Sequence, residues 1–146
     1  MAAKSSQLPI LLVEDDEIDT ETVKRILRKE KITNPLFCVS DGVEALEILK
    51  KKNGQPAIPQ PCLILLDINM PRMNGLEFLE QIRHDKELKK NVTFILTTSG
   101  RNEDKDTAYS LSVAGYILKE NMGRLIEMLG RYCQINELPA SNGDVH

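Results

Sequence analysis

The hydrophobic positions of this chain form short unbroken runs that alternate with amphipathic stretches. The unbroken runs predict five strands: Ile10–Val13, Leu36–Val39, Cys62–Leu66, Val92–Leu96 and Gly115–Leu118. After each run, apolar residues recur at helical spacing, as do Leu76, Leu79 and Ile82 after the third. Strands that are apolar at every position are buried on both faces, which is typical of parallel sheets. Five strand–helix repeats therefore predict an α/β protein with a five-stranded parallel sheet and helices on both faces.

Proline and glycine mark the loops between these elements. Asn53–Pro61 contains three prolines and a glycine, and Met70–Gly75 contains one of each, so both segments are predicted loops. Residues 1–7 are short and polar, and the residues after Gln134 are mostly polar. We therefore expect an N-terminal extension over 1–7, one domain over 8–133 and a C-terminal tail over 134–146.

Composition narrows the classes of protein to which the chain could belong. Its 146 residues suit one domain, and a net charge of −3 argues against a nucleic-acid-binding protein, which usually carries a basic face. No apolar run approaches the ~20 residues that span a bilayer, and none has the position of a signal peptide. The three cysteines have neither disulfide nor zinc spacing, and we expect Cys38 and Cys62 to be buried free thiols. The expectation is a cytoplasmic protein that binds neither nucleic acid nor a membrane.

Polar residues that could bind a ligand or take part in a reaction follow four of the five predicted strands. They are Glu14 and Asp15 after the first strand, Asp67 after the third, Thr97 after the fourth and Lys119 after the fifth. Ligands of open α/β sheets bind at the carboxyl ends of the strands, so these side chains are expected to converge. Each has a plainer interpretation, because acids favour helix N-termini and a lone lysine is usually solvated. Their coincidence at four strand ends favours a site.

Three crowded carboxylates repel one another and need a cation. Carboxylate oxygens suit a hard divalent ion, and Mg²⁺ is the usual one where phosphate is handled. A carboxylate can also act as a nucleophile and become an acyl phosphate, while a lysine neutralises the transferring group. A threonine hydroxyl can donate a hydrogen bond to a phosphoryl oxygen.

The motifs at these positions resemble those of the response-regulator receiver domain of two-component systems. They are Leu11–Asp15 (LLVED), Asp41–Leu46 (DGVEAL), Leu65–Pro71 (LLDINMP) with Asn74-Gly75 after it, Leu96–Ser99 (LTTS) and Gly115–Lys119 (GYILK). They span almost the whole chain in a specific order. The resemblance implies a doubly wound, flavodoxin-like fold with strand order 2-1-3-4-5.

The same resemblance implies a role for each residue of the cluster. Asp67 matches the phosphoacceptor. The metal ligands for Mg²⁺ match Glu14, Asp15, Asp67 and the backbone carbonyl of Asn69. The phosphate-binding and switch residues match Thr97, Thr98, Tyr116 and Lys119. The chain would then be a single-domain response regulator, phosphorylated by a histidine kinase and catalysing only its own phosphorylation and dephosphorylation.

Two further features refine the resemblance. Many receivers have proline after the lysine, often with a cis bond, whereas Glu120 follows Lys119 here, so the loop is expected to differ in shape. The loop Asn53–Pro61 and the LTTS segment are similar to those of small stand-alone regulators that serve phytochrome-type histidine kinases.

The main alternative is an enzyme, a phosphatase of the haloacid-dehalogenase type, with Asp67 as its nucleophile. Such phosphatases carry Asp-x-Asp, in which the second acid transfers protons. Asn69 stands at that position and cannot do so. A calcium-binding loop and an ATP-dependent kinase are also disfavoured, because the glycines that both require are missing.

Self-association is a further expectation, because the C-terminal region carries more apolar residues than one core-facing stripe requires. These residues are Tyr116, Leu118, Met122, Leu125, Met128, Leu129, Tyr132, Ile135 and Leu138. They are equally compatible with a homodimer interface and with core packing. Signalling is expected to act through protein contacts around Ala108–Tyr116.

Overall fold

The computed structural model describes residues 7–50, 58–70 and 72–141, with side chains through Tyr132. Its five strands form one sheet in the order β2-β1-β3-β4-β5. They are β1 (Ile10–Val13), β2 (Leu36–Val39), β3 (Leu63–Leu66), β4 (Val92–Thr97) and β5 (Gly115–Leu118). Every neighbouring pair is parallel. The predicted fold class and strand order are confirmed.

Five α-helices cover the two faces of the sheet. They are α1 (Glu17–Lys29), α2 (Gly42–Lys50), α3 (Gly75–Arg83), α4 (Asn102–Ser110) and α5 (Met122–Ser141). Alternate residues of β3 enter different core clusters: Ile64 packs with residues of α2, α3 and α4, whereas Leu65 packs with residues of α1 and α5. Burial on both sides explains why this strand is apolar at every position. Among the residues that the structure describes, no helix is both long and apolar enough to cross a membrane.

The helices nearest the predicted site have well-defined N-termini. The carboxylate of Asp16 accepts hydrogen bonds from the backbone N–H groups of Ile18 and Asp19, which fixes the first turn of α1. Asn74 and Glu77 form a capping box at the start of α3. A Cβ atom at Gly75 would lie 2.2 Å from the backbone oxygen of Asp67, so only glycine lets α3 begin this close to the end of β3.

The boundaries of one strand and one helix differ from those predicted, and so does the exposure of one cysteine. Strand β3 begins at Leu63 rather than Cys62, and α5 continues through Ser141, so the backbone of residues 134–141 is helical although they were predicted as tail. Cys62 is buried, but Cys38 is exposed, because β2 is an edge strand and Cys38 lines a groove beside α1. The greater part of the predicted loop Asn53–Pro61 lies outside the described residues, and so do residues 1–6 of the predicted extension.

Candidate functional site

The carboxyl edge of the sheet brings the predicted acids together. Val13 of β1 is the register partner of Leu66 of β3, so the residues that follow them emerge side by side. The backbone N–H of Asp67 also donates to the carbonyl of Val13 at 3.1 Å. As a result, carboxylate oxygens of Glu14, Asp15 and Asp67 lie within 4.8 Å of one another.

The three acids differ in their exposure to solvent. Glu14 and Asp67 are buried, each 6% exposed, whereas Asp15 is exposed. Burial and the neighbouring charge of Asp67 raise the pKa of Glu14 to about 7, against the opposing effect of its hydrogen bond with Lys119. An acidic pocket of this kind offers only oxygen ligands, which fits Mg²⁺ or Mn²⁺.

The ammonium group of Lys119 lies within reach of three carboxylates. Its Nζ atom is 2.8 Å from Oε1 of Glu14, 2.6 Å from Oδ2 of Asp19 and 3.4 Å from Oδ2 of Asp67. Burial alone would lower the pKa of Lys119, but the bonds to Asp19 and Glu14 outweigh it and hold the pKa above its ordinary value. Lys119 therefore carries a positive charge beside Asp67.

Asp19 is the residue of this cluster that the sequence reasoning missed. It lies on the first turn of α1, which begins two residues after Asp15, so Asp19 stays near the carboxyl edge of the sheet. That spacing is the signal that could have identified it.

The loop after β3 folds close to the acidic cluster. The backbone N–H of Asn69 donates to Oδ1 of Asp67 at 3.3 Å. Further along, the Arg72 guanidinium binds Oδ2 of Asp41, with its Nε atom at 2.8 Å, and Oδ1 of Asp41 accepts from the N–H of Glu44 in α2. The loop that carries Asn69 is thus anchored to the start of the neighbouring helix.

Thr97 and Tyr116 both bond to the same residue, Ser99. Thr97 is buried and its hydroxyl oxygen accepts from the Ser99 N–H at 3.3 Å, while the Tyr116 hydroxyl donates to the Ser99 carbonyl at 2.7 Å. The Ser99 hydroxyl in turn donates to Asp104 of α4 at 2.6 Å. The adjacent Thr98 is exposed. These bonds link the end of β4 to β5 and to the first turn of α4.

The backbone that begins at Lys119 connects β5 to α5 through a single short turn. Residues Lys119–Asn121 form a 3₁₀ turn that leads directly into α5. Among the described residues, the cis peptide bond is Gln60–Pro61, so the Lys119–Glu120 bond is trans.

Most of the apolar C-terminal side chains contribute to the core. Leu125 and Leu129 are buried, and Met122, Met128 and Tyr132 pack against the same cluster. The side chains of Ile135 and Leu138 lie outside the described part of the chain. Core packing thus accounts for much of the excess of apolar residues in the C-terminal region. A homodimer stays a prediction.

Comparisons with known proteins point to one family. The family model described as the response regulator receiver domain matches residues 10–130. The response regulator Rcp1 of Synechocystis sp. is 36% identical over 121 residues, which is 82% of this chain and 82% of Rcp1. Two similar solved structures are also of response regulators.

The first of these structures is the Mn²⁺-bound form of Rcp1, with 32% identity and a TM-score of 0.73 over 92% of this chain and 96% of that one. The second is the phosphorylated cyanobacterial phytochrome response regulator RcpA. It has 31% identity and a TM-score of 0.73, and the match covers 86% of this chain and 91% of that one.

Proposed function

The chain belongs to the response regulator receiver domain family, and from that premise we propose that it accepts a phosphoryl group from a histidine kinase on Asp67. The observation that carries the proposal is the position of this carboxylate. Asp67 is buried at the carboxyl end of β3, beside two other acids and 3.4 Å from the ammonium of Lys119. A nucleophile, a cation site and a phosphate-binding group are therefore adjacent.

The transfer follows directly from these groups. An Asp67 carboxylate oxygen attacks phosphorus, the bond from phosphorus to the histidine nitrogen breaks, and that nitrogen keeps the electron pair and takes up a proton. The product is an acyl phosphate. Lys119 neutralises charge on the transferring group, and the Thr97 hydroxyl donates to one of its oxygens.

The acidic pocket also fits the cation that such chemistry uses. Glu14, Asp15, Asp67 and the backbone carbonyl of Asn69 would hold Mg²⁺, which would neutralise phosphoryl oxygens. One of the similar structures is the Mn²⁺-bound form of Rcp1, which supports a divalent cation as the ligand of this chain.

Phosphorylation of Asp67 would change the conformation of β5 and α4. When Thr97 turns toward the phosphoryl group, it must release the Ser99 N–H, and Ser99 is also bonded to Tyr116 and Asp104. The segment Ala108–Tyr116 would then present an altered surface to a partner protein. Thr98, exposed at the start of this path, would face the incoming group.

The proposed partner follows from the relatives. Because similar proteins are phytochrome response regulators, we infer a phytochrome-type histidine kinase as the donor. We also propose that the chain acts in the cytoplasm. We infer a regulatory protein whose only chemistry is its own phosphorylation and dephosphorylation, acting on neither nucleic acid nor membrane. The haloacid-dehalogenase alternative is not supported, because the matching family is a receiver and Asn69 cannot transfer protons.

Labelling with acetyl phosphate and Mg²⁺ tests the proposal. The wild-type protein should take up acid-labile phosphate, and Asp67→Asn should take up none while keeping the circular-dichroism spectrum of the wild type. Asp106→Asn is the matched control, because it removes an exposed carboxylate of α4. Equal labelling of wild type and Asp67→Asn would overturn the assignment.

A further inference from the structure

The shortest contact of the Lys119 ammonium is with Asp19, a residue of α1, and not with the proposed phosphoacceptor. The Nζ atom lies 2.6 Å from Asp19 but 3.4 Å from Asp67. The position of Asp19 is fixed from its own helix, since its backbone N–H donates to the capping carboxylate of Asp16 at 3.0 Å. Asp19 is therefore held where it can retain Lys119.

A lysine ammonium has three hydrogen-bond donors. Here it donates to Asp19 and Asp67 and forms an ion pair with Glu14 at 2.8 Å, so three carboxylates already surround it. A phosphoryl group on Asp67 adds three strong acceptor oxygens and negative charge. Lys119 can bind these oxygens only if one of its present partners gives up a donor.

The three partners of Lys119 are not equally able to release it. Glu14 and Asp67 belong to the cluster that can hold a cation, so a bound cation competes with Lys119 for both of them. Asp19 is not part of that cluster. It consequently remains as the acceptor that competes with the phosphoryl oxygens for the ammonium.

We propose that Asp19 is a positioning residue that retains Lys119 on α1 and so opposes its binding to the phosphoryl group. The inference rests on the proposed function, because it concerns the same lysine. It assigns to the first turn of α1 a role in setting how readily the protein is phosphorylated. The side chain of Asp19 is 36% exposed and that of Lys119 14%, so solvent screens the contact only in part.

The test compares two variants that remove one negative charge from the same helix. Asp19→Asn keeps the shape of the side chain but weakens its hold on Lys119. Glu21→Gln is the matched control, since Glu21 pairs with Lys24 at 3.5 Å and not with Lys119. Affinity for beryllofluoride, a phosphoryl mimic, is measured with saturating Mg²⁺, and Mg²⁺ affinity is measured separately.

We expect Asp19→Asn to bind beryllofluoride about fivefold more tightly than wild type, as the loss of a partly exposed ion pair would give. Glu21→Gln should match wild type. In a Lys119→Met background, Asp19→Asn should have no effect, because the residue acts through the lysine. That double-mutant cycle separates positioning from a general effect of charge or of folding.

Two results contradict the inference alone: equal affinities for Asp19→Asn and Glu21→Gln, or an Asp19→Asn effect that persists without Lys119. Weaker binding by Asp19→Asn would also overturn it, since Asp19 would then assist the phosphate-binding lysine. A wild-type protein that binds no beryllofluoride at all would instead contradict the proposed function, and the inference with it.

Discussion

Magnesium should bind more tightly as the pH rises through neutrality, because Glu14 must lose a proton before it can be a ligand. Glu14 is 6% exposed, and burial together with the charge of Asp67 raises its pKa to about 7. Lys119, 2.8 Å away, has a pKa above its ordinary value and stays protonated over this range. Glu14 is therefore the ligand expected to titrate.

The size of the effect follows from that pKa. A group with a pKa near 7 is about one-tenth deprotonated at about pH 6 and about nine-tenths deprotonated at about pH 8. Because the cation binds only the deprotonated form, its apparent affinity should rise about tenfold across this interval. About one proton should be released per ion at the lower pH.

Isothermal titration calorimetry in two buffers of different ionisation enthalpy measures both quantities. Glu14→Gln should bind Mg²⁺ more weakly and without the pH dependence, whereas Glu80→Gln, which removes an exposed acid of α3, should behave as wild type. A wild-type affinity that is constant over this pH range, with no proton released, would refute the reasoning.

Glu14 should also make the free energy of unfolding of the metal-free protein depend on pH. The pKa of Glu14 is higher in the folded state, about 7, than its unperturbed value of 4.5, so the folded state binds the extra proton. The free energy of unfolding should therefore fall as the pH rises from about 4.5 to about 7, by at most about 3 kcal/mol. Comparison of wild type with Glu14→Gln isolates this contribution from those of other groups.

Three further predictions concern stability, metal binding and assembly. Arg83→Met should lower the free energy of unfolding by about 3 kcal/mol, because the guanidinium donates to backbone carbonyls including those of Leu111 and Asn91. Urea titration measures this loss, and a value under about 1 kcal/mol would contradict the prediction. Asp15→Ala should weaken Mg²⁺ binding at least about tenfold, and an unchanged affinity would remove Asp15 from the ligand set. If the chain dimerises, sedimentation should show beryllofluoride favouring the dimer, and a monomer in both states would exclude self-association.

The sequence was sufficient to predict the sheet and the convergence of its polar residues. Unbroken apolar strands require cover on both faces, and parallel strands place their carboxyl ends at one edge. Glu14, Asp67 and Thr97 directly follow or end such strands, so their proximity depends on topology alone. The roles assigned to them came from the resemblance to receivers.

The contacts that sequence reasoning missed depend on how helices sit against the sheet. Asp19 meets Lys119 across 100 residues of sequence, and that contact depends on how α1 is placed relative to the carboxyl ends of the strands. The exposure of Cys38 likewise depends on the edge position of β2. The continuation of α5 to Ser141 could not be predicted, since the residues after Cys133 lack a clear apolar stripe.

The central claim is that Asp67 carries the phosphoryl group, and chemical trapping of the modified residue tests it most directly. Borohydride reduces the acyl phosphate of an aspartate to homoserine, which survives digestion and is located by mass spectrometry. After reaction with acetyl phosphate and Mg²⁺, we expect this change at Asp67 and at no other residue. Trapping at a different carboxylate, with Asp67 unmodified, would contradict it.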